Sequence, residues 1–343
     1  PGAHWVWAND IVFHHMVDGK AFLLDGDSGR MLGMLSTGFN YNGVVIGKAG
    51  SELLSPETYF ARGTRGARTD VVTFYGGRTL SPTGEVVIPP KRASTMPMLA
   101  NAPLTDDSRF LLIYNFTPAQ SVSVVDVPAR KFAGEIEIPG CALIYPTGPR
   151  AFFSLCGDGA AMQVQLADDG TAIKKSRTVK LVDPAGDPVT EKGVRDGNGW
   201  IFVTFAGKVV RLEAAGGGLR AAESWSLLDA ADLKASWRPG GLQHLSLHAA
   251  TRRLYSLMHI GGDYSHKDPG TEVWVYDVAA KRRMQRIVLK APATSITVTR
   301  DAKPLLFTAF MGASGVNVYD ALSGKFLRSI SEVGLTPTTL VTY

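Results

Sequence analysis

Short β-prone runs separated by turn formers fill this chain, and one arrangement keeps returning: an apolar or alternating run, an Asp, a turn that often carries Gly-Lys or Gly-Arg, and a second apolar run. It is clearest in AFLLDGDSGRMLGML (21–35), VSVVDVPARKFAGEIEI (122–138), VWVYDVAAKRRMQRIVL (273–289) and VNVYDALSGKFLRSI (316–330). Each predicts a β-hairpin, in which the Asp ending the first arm accepts hydrogen bonds from turn N–H groups while Gly relieves the steric cost of a left-handed position. Weaker copies at 70–88, 160–173 and 207–223 bring the count to seven. A second kind of segment, an Asp/Arg-rich turn feeding a short apolar strand, precedes later hairpins at 106–116, 250–260 and 301–310.

Seven units in 343 residues leave 49 residues for each. That length, four short strands per unit and frequent Gly/Pro turns predict an all-β, seven-bladed β-propeller of four-stranded antiparallel blades, because a βαβ unit needs a helical pattern between its strands. The whole chain, 1–343, reads as one such domain, closed by pairing of N- and C-terminal strands. The strong last hairpin, 316–330, is the expected partner of AHWVWAN (3–9). Closure of that kind leaves no edge strand to protect. Helix is scarce; in SWSLLDAADLKASW (224–237) Asp229 is placed to cap a short helix with Leu233 on its apolar side. Stretches 50–69, 89–105 and 183–199 read as long irregular loops, where a scaffold carries its binding surface.

Composition narrows the function more than the fold. Thirty-six Lys and Arg against 31 Asp and Glu give a formal charge of +5. That balance is too mild to imply nucleic acid, and no recognition-helix or zinc-finger pattern accompanies the clustered Arg62, Arg65 and Arg68. No apolar run reaches the 18 or more residues of a membrane span, and no signal peptide is visible in a sequence that begins at Pro1.

Cys141 and Cys156 are the whole cysteine inventory. They lie in PGCALIYPTGPRAFFSLCGDGA, two apolar runs about the turn former PTGPR, so each arm of one hairpin carries a cysteine. If the arms pair, a disulfide is within reach and points to an oxidising compartment outside the cytoplasm. The alternative is two free, buried cysteines acting as small hydrophobes.

Chemistry of the chain's own is poorly supported. GDSGR (26–30) matches the surroundings of a serine-protease nucleophile only superficially, since it occupies a repeated hairpin turn, which makes Ser28 a turn residue. No Walker motif and no GxGxxG before a helical pattern appears. His244 and His248 share one side of a strand if alternation holds, but a metal needs a third ligand, and His259, His266, Asp263 or Asp268 would have to fold back to supply it. No metal is therefore assigned.

Several ordered segments carry a resemblance: STGFNYNGVV (36–45), YFARGTRGARTDVVTFY (59–75), the Cys141–Cys156 hairpin ending in CGDG, SWSLLDAADLKASWRPGG (224–241) and LMHIGGDYSHKDPGTEVWVYD (257–277). Together they resemble the heavy subunit of tryptophan-tryptophylquinone amine dehydrogenases over nearly the whole chain, with several pieces closer to the aromatic-amine branch than to the methylamine branch. The resemblance implies a non-catalytic propeller subunit bound to a small cysteine-rich light subunit that carries the quinone, in a periplasmic α2β2 heterotetramer that passes electrons to a blue copper protein. It implies oxidative deamination of a primary amine to aldehyde and ammonia, with the covalent quinone as electron sink. It also implies that Phe39 in TGFNYNG walls the substrate channel, with Asn40 and Tyr41 at its mouth. Arg62, Arg65, Arg68 and Asp70 either order a loop near the light subunit or form a solvated charged turn. The competing classes are an interaction propeller without enzyme activity and a propeller enzyme with its own centre, such as a lactonase or a pyrroloquinoline-quinone dehydrogenase.

Overall fold

The seven hairpins foreseen from the Asp-turn pattern all form, and each supplies the two outer strands of one blade. The computed structural model describes residues 1–343 apart from Val17, Ser94, Gly217 and Glu223, so two residues of the 207–223 segment lie outside the described residues. Asp25 accepts from the backbone N–H of Asp27 (3.0 Å) and the Ser28 hydroxyl (2.6 Å), and Asp320 from the N–H of Leu322 (3.0 Å) and Ser323 (2.7 Å). Gly29 and Gly324 take the left-handed position of these turns, both at φ 75°.

The segments of the second kind become the strands next inward, such as Phe110–Asn115, Arg253–Ile260 and Leu305–Ala309. Short strands complete the blades at the centre. Blade two, for example, runs outward as Val45–Ile46, Glu52–Phe60, Arg68–Gly76 and Pro82–Ile88. In blade three the innermost position shrinks to two isolated bridges, Leu104 to Leu111 and Arg92 to Asn115. The result is a seven-bladed, antiparallel β-propeller.

Neighbouring residues on a strand face opposite sides, and here both sides are another blade. Val6 and Ala8 pack with Leu305 and Phe307 of blade seven, while Trp7 between them packs with Leu53 and Tyr75 of blade two. Leu53 and Leu54 divide in the same way between blades one and three. The core is thus a ring of interblade layers, and the solid apolar runs of the sequence are what that geometry requires.

Three expectations are corrected. The N-terminal strand Trp5–Asp10 pairs with Pro337–Thr342, not with the hairpin 316–330, which forms the outer half of blade seven. The junction is tied by Asp10, whose carboxylate is buried and accepts from the N–H groups of Val12 (2.7 Å) and Leu335 (2.6 Å) and from the Thr336 hydroxyl (2.6 Å). Stretch 50–69 is not one long loop: it holds the strand Glu52–Phe60, with Pro56 seated opposite Val72, and the start of the strand Arg68–Gly76. The helix α1 (Ala230–Lys234) does begin at Asp229, which accepts from the N–H of Asp232 (2.8 Å). Leu233, however, is 50% exposed, because the side that packs inward carries Asp232 in an ion pair with Arg283 (2.6 Å).

Candidate functional site

Strands in each blade alternate in direction, so the links between second and third strands and the links between blades all emerge on one face, here the upper face. Residues 37–44 are such a link, from blade one to blade two. Gly38 opens it at φ +53°, and a Cβ there would lie 2.8 Å from the Tyr59 ring, so the close crossing requires glycine. Phe39 then adds a rung to blade two: its N–H donates to the Thr58 carbonyl (3.1 Å) and its carbonyl accepts from Thr58 N–H (3.2 Å). Its half-buried ring leans on Tyr41 (5.8 Å) and stands edge-on to Phe60 (6.1 Å).

Asn40 and Tyr41 are both buried. Asn40 accepts from the N–H groups of Asn42 (2.9 Å) and Gly43 (3.0 Å) and donates to Ser55 (2.7 Å), so its amide holds the turn in shape. Tyr41 points its hydroxyl at the Met16 sulfur (3.0 Å), and burial raises its pKa.

Beneath this link lies a charged network. Asp70 is buried and its carboxylate meets four donors: Thr58 Oγ1 (2.8 Å), Arg68 Nε (2.8 Å), Arg68 Nη2 (2.7 Å) and the backbone N–H of Arg92 (3.0 Å). Four donors fill the four lone-pair sites of a carboxylate. The wholly buried Arg92 guanidinium donates to the Phe39 carbonyl, to Thr58 Oγ1 (3.2 Å) and to Asn42 Oδ1 (3.5 Å). Burial pulls it down to about 10, Asp70 opposing, so it stays charged at neutral pH. A second buried acid, Glu57, accepts from Tyr59 (2.6 Å), Thr73 (2.7 Å) and Tyr75 (2.9 Å). Burial raises its pKa against those three donors.

Of the four charged residues picked out from the sequence, the fold therefore joins Arg68 to Asp70 and leaves Arg62 and Arg65 exposed at the hairpin tip. Arg92, Thr58 and Glu57 escaped sequence reading. The only trace was polarity where apolar residues are the rule, in PETYF and after the Pro-Pro of IPPKR.

The family model described as methylamine dehydrogenase heavy chain matches residues 2–343. The chain belongs to this family. A methylamine dehydrogenase heavy chain of Paracoccus versutus is 30% identical across all of this chain and 80% of the relative, and one of Methylophilus methylotrophus is 30% identical across 95% and 80%. The β-propeller domain of Cps50 from Myceliophteria thermophila superposes with a TM-score of 0.63 over 93% of this chain and 94% of that one, and at 12% identity it shows the fold alone. The closeness to the aromatic-amine branch is overturned, since the matches are to methylamine dehydrogenase heavy chains. Loop motifs such as TGFNYNG were too short a basis for choosing a branch that the whole alignment decides otherwise. Membership makes the chain a non-catalytic, scaffolding propeller of an amine dehydrogenase.

In this heavy chain the remaining candidates have structural partners. Cys141 and Cys156 are bonded to each other, directly opposite on adjacent strands. Ser28 donates to Asp25 within its turn. His244 and His248 do not share a side: the strand Leu245–His248 begins only after His244, which contacts Thr190 (3.0 Å), while His248 contacts the Asp301 carbonyl (2.9 Å). Among the described residues no group of three His, Cys, Asp or Glu is arranged to hold a metal. No helix among them is long and apolar enough to cross a membrane.

Proposed function

We propose that this chain is the heavy subunit of a periplasmic α2β2 amine dehydrogenase, docking a small cysteine-rich light subunit on its upper face, with Phe39, backed by Tyr41 and the Asn40 turn, as one wall of the amine's path. The observation that carries the reading is the distribution of exposed apolar side chains. Phe13, Tyr59, Phe116, Ile260, Tyr264 and Leu335 all stand on upper-face loops or strand ends, around the link that bears Phe39. On the opposite face Leu322 is the exposed large apolar residue among those described; Leu99, Val179 and Leu233 lie in links between blades, and the rest lie on outer strands. Concentration of apolar surface on one face marks an interface rather than scatter.

The catalytic group fits a partner better than this chain. The tryptophans that pack together here, Trp237 and Trp274 (5.0 Å), are buried, with Arg286 stacked over both rings and Arg283 over Trp274, so an amine has no approach to them. The tryptophan tryptophylquinone is accordingly assigned to the light subunit, where, when present, it supplies the electron sink for deamination. The residues of this chain contribute by positioning and exclusion: the Phe39 ring narrows the path, and the buried network fixes its backbone. The names of the relatives support a small primary amine of the methylamine class as substrate, and the disulfide supports a periplasmic setting, where the family resemblance implies a blue copper protein as acceptor.

Purification from the native host tests this. An equimolar complex with a small subunit whose visible absorbance bleaches on adding methylamine is the expected result. A solitary, colourless chain recovered without loss of partners overturns the reading and leaves an interaction propeller.

A further inference from the structure

Arg92 is set in the link from blade two to blade three, yet three of its five donor N–H groups reach back to the preceding link and its neighbouring strand. One reaches the Phe39 carbonyl, one Thr58 Oγ1 (3.2 Å) and one Asn42 Oδ1 (3.5 Å). Its own backbone is clamped on both sides: the N–H donates to Asp70 (3.0 Å), the carbonyl accepts from Arg68 Nη2 (2.8 Å), and the residue bridges to Asn115 of blade three. The donor order is fixed as well. Thr58 gives its hydroxyl proton to Asp70, so its lone pair takes Arg92 Nε–H.

A buried charge is a poor way to gain stability alone, because well-packed apolar residues of similar volume do as well or better. What a guanidinium adds is direction, since its planar fork holds several acceptors at set angles. Here those acceptors are the peptide of Phe39, the hydroxyl of the residue bridged to it, and the turn two residues after the Asn40 cap. Among the described residues the aromatic support of the Phe39 ring is the Tyr41 and Phe60 rings. Its position is thus inherited from a backbone that Arg92 holds.

We propose that Arg92 is the positioning residue that places Phe39, and through it sets the size of primary amine the complex admits. The inference rests on reading Phe39 as a channel wall, and the test separates the two. In the assembled complex, kcat/KM is measured for methylamine and for benzylamine with wild type, Phe39→Ala, Arg92→Gln, Arg92→Lys and the double variant Phe39→Ala/Arg92→Gln. Phe39→Ala should raise the benzylamine-to-methylamine ratio by about tenfold. Arg92→Gln should move it the same way, chiefly through KM for benzylamine. Arg92→Lys, which keeps the charge and loses the fork, should fail to restore the wild-type ratio. The double variant should match Phe39→Ala alone, since both act on one ring. If Phe39→Ala shifts the ratio and both Arg92 variants leave it at the wild-type value, Arg92 is a structural tie only and the inference falls while the channel reading stands. If no variant shifts the ratio in a complex that still bleaches with methylamine, the channel reading falls and takes the inference with it. Where Arg92→Gln does not assemble, Thr58→Val removes one acceptor of the fork and is read by the same ratio.

Discussion

The rims of blade two and blade four lie on the same upper face and are held by opposite means. In blade two the link bearing Phe39 rests on buried charge: Arg92, Asp70 and Arg68, joined through Thr58, with Glu57 nearby. In blade four the start of one strand and the end of the next are joined covalently by Cys141 and Cys156. Beneath them Tyr145 stacks on Phe153 (5.0 Å), meets Phe202 (5.0 Å) and Trp200 (5.2 Å) edge-on, and donates to the Glu191 carbonyl (2.6 Å). A covalent and aromatic rim tolerates changes of pH and salt but gives no directional control over a neighbouring loop. A charged rim does the reverse: every acceptor has a set place, and losing one partner strands the others in a dry interior.

The comparison is broken most forcefully at Asp70. Asp70→Ala removes the acceptor of four donors and leaves Arg68 and the buried Arg92 without their counter-charge. We expect a loss of about 3–5 kcal/mol in urea unfolding, with Asp70→Asn recovering part of it through the retained carbonyl oxygen. A loss below about 1 kcal/mol would mean that the network is solvated and that the contrast between the rims is false. At blade four the expected effect is smaller. Replacing both cysteines by Ala releases a loop with a sequence separation of 15 and should cost about 3 kcal/mol in the chain-entropy model, with the amine-size ratio unchanged. A shifted ratio would show that the two rims are coupled across the face.

How much of this the sequence disclosed follows from the range over which each feature is encoded. The outer hairpins were legible because Asp25, Asp126, Asp277 and Asp320 each bind turn N–H groups two or three residues on, a signal contained in one short window. The disulfide was legible for the same reason, its two halves lying on the arms of one hairpin. Most inner strands were obscure because they are short, and in blade three the position is two isolated bridges, at Leu104 and Arg92. The closing strand was missed because PTTLVT (337–342) pairs with a segment at the other end of the chain, while a stronger local hairpin at 316–330 competed for the role. Phe39 entered through the family resemblance rather than through its own spacing. Arg92 showed locally no more than a polar residue after Pro-Pro: its acceptors are 34, 50 and 53 residues away, and only the folded blade brings them together.

The finest distinction between the rims is their response to pH, and Glu57 supplies it. Burial raises the Glu57 pKa in the folded protein even though Tyr59, Thr73 and Tyr75 donate to it. A carboxyl group raised on folding stabilises the native state fully below its unfolded pKa, and that contribution is lost as pH rises through the folded value. Stability of the wild type relative to Glu57→Gln should therefore fall as pH climbs from below the ordinary carboxylate range through the raised Glu57 pKa. Carboxylates elsewhere titrate in both proteins and cancel in the difference. Wild type relative to the double-cysteine variant should show no such slope, since a disulfide does not titrate. If the Glu57 difference is flat or rises with pH, its three hydroxyl donors outweigh burial, and the acid is a settled carboxylate rather than the pH-sensitive element of the charged rim.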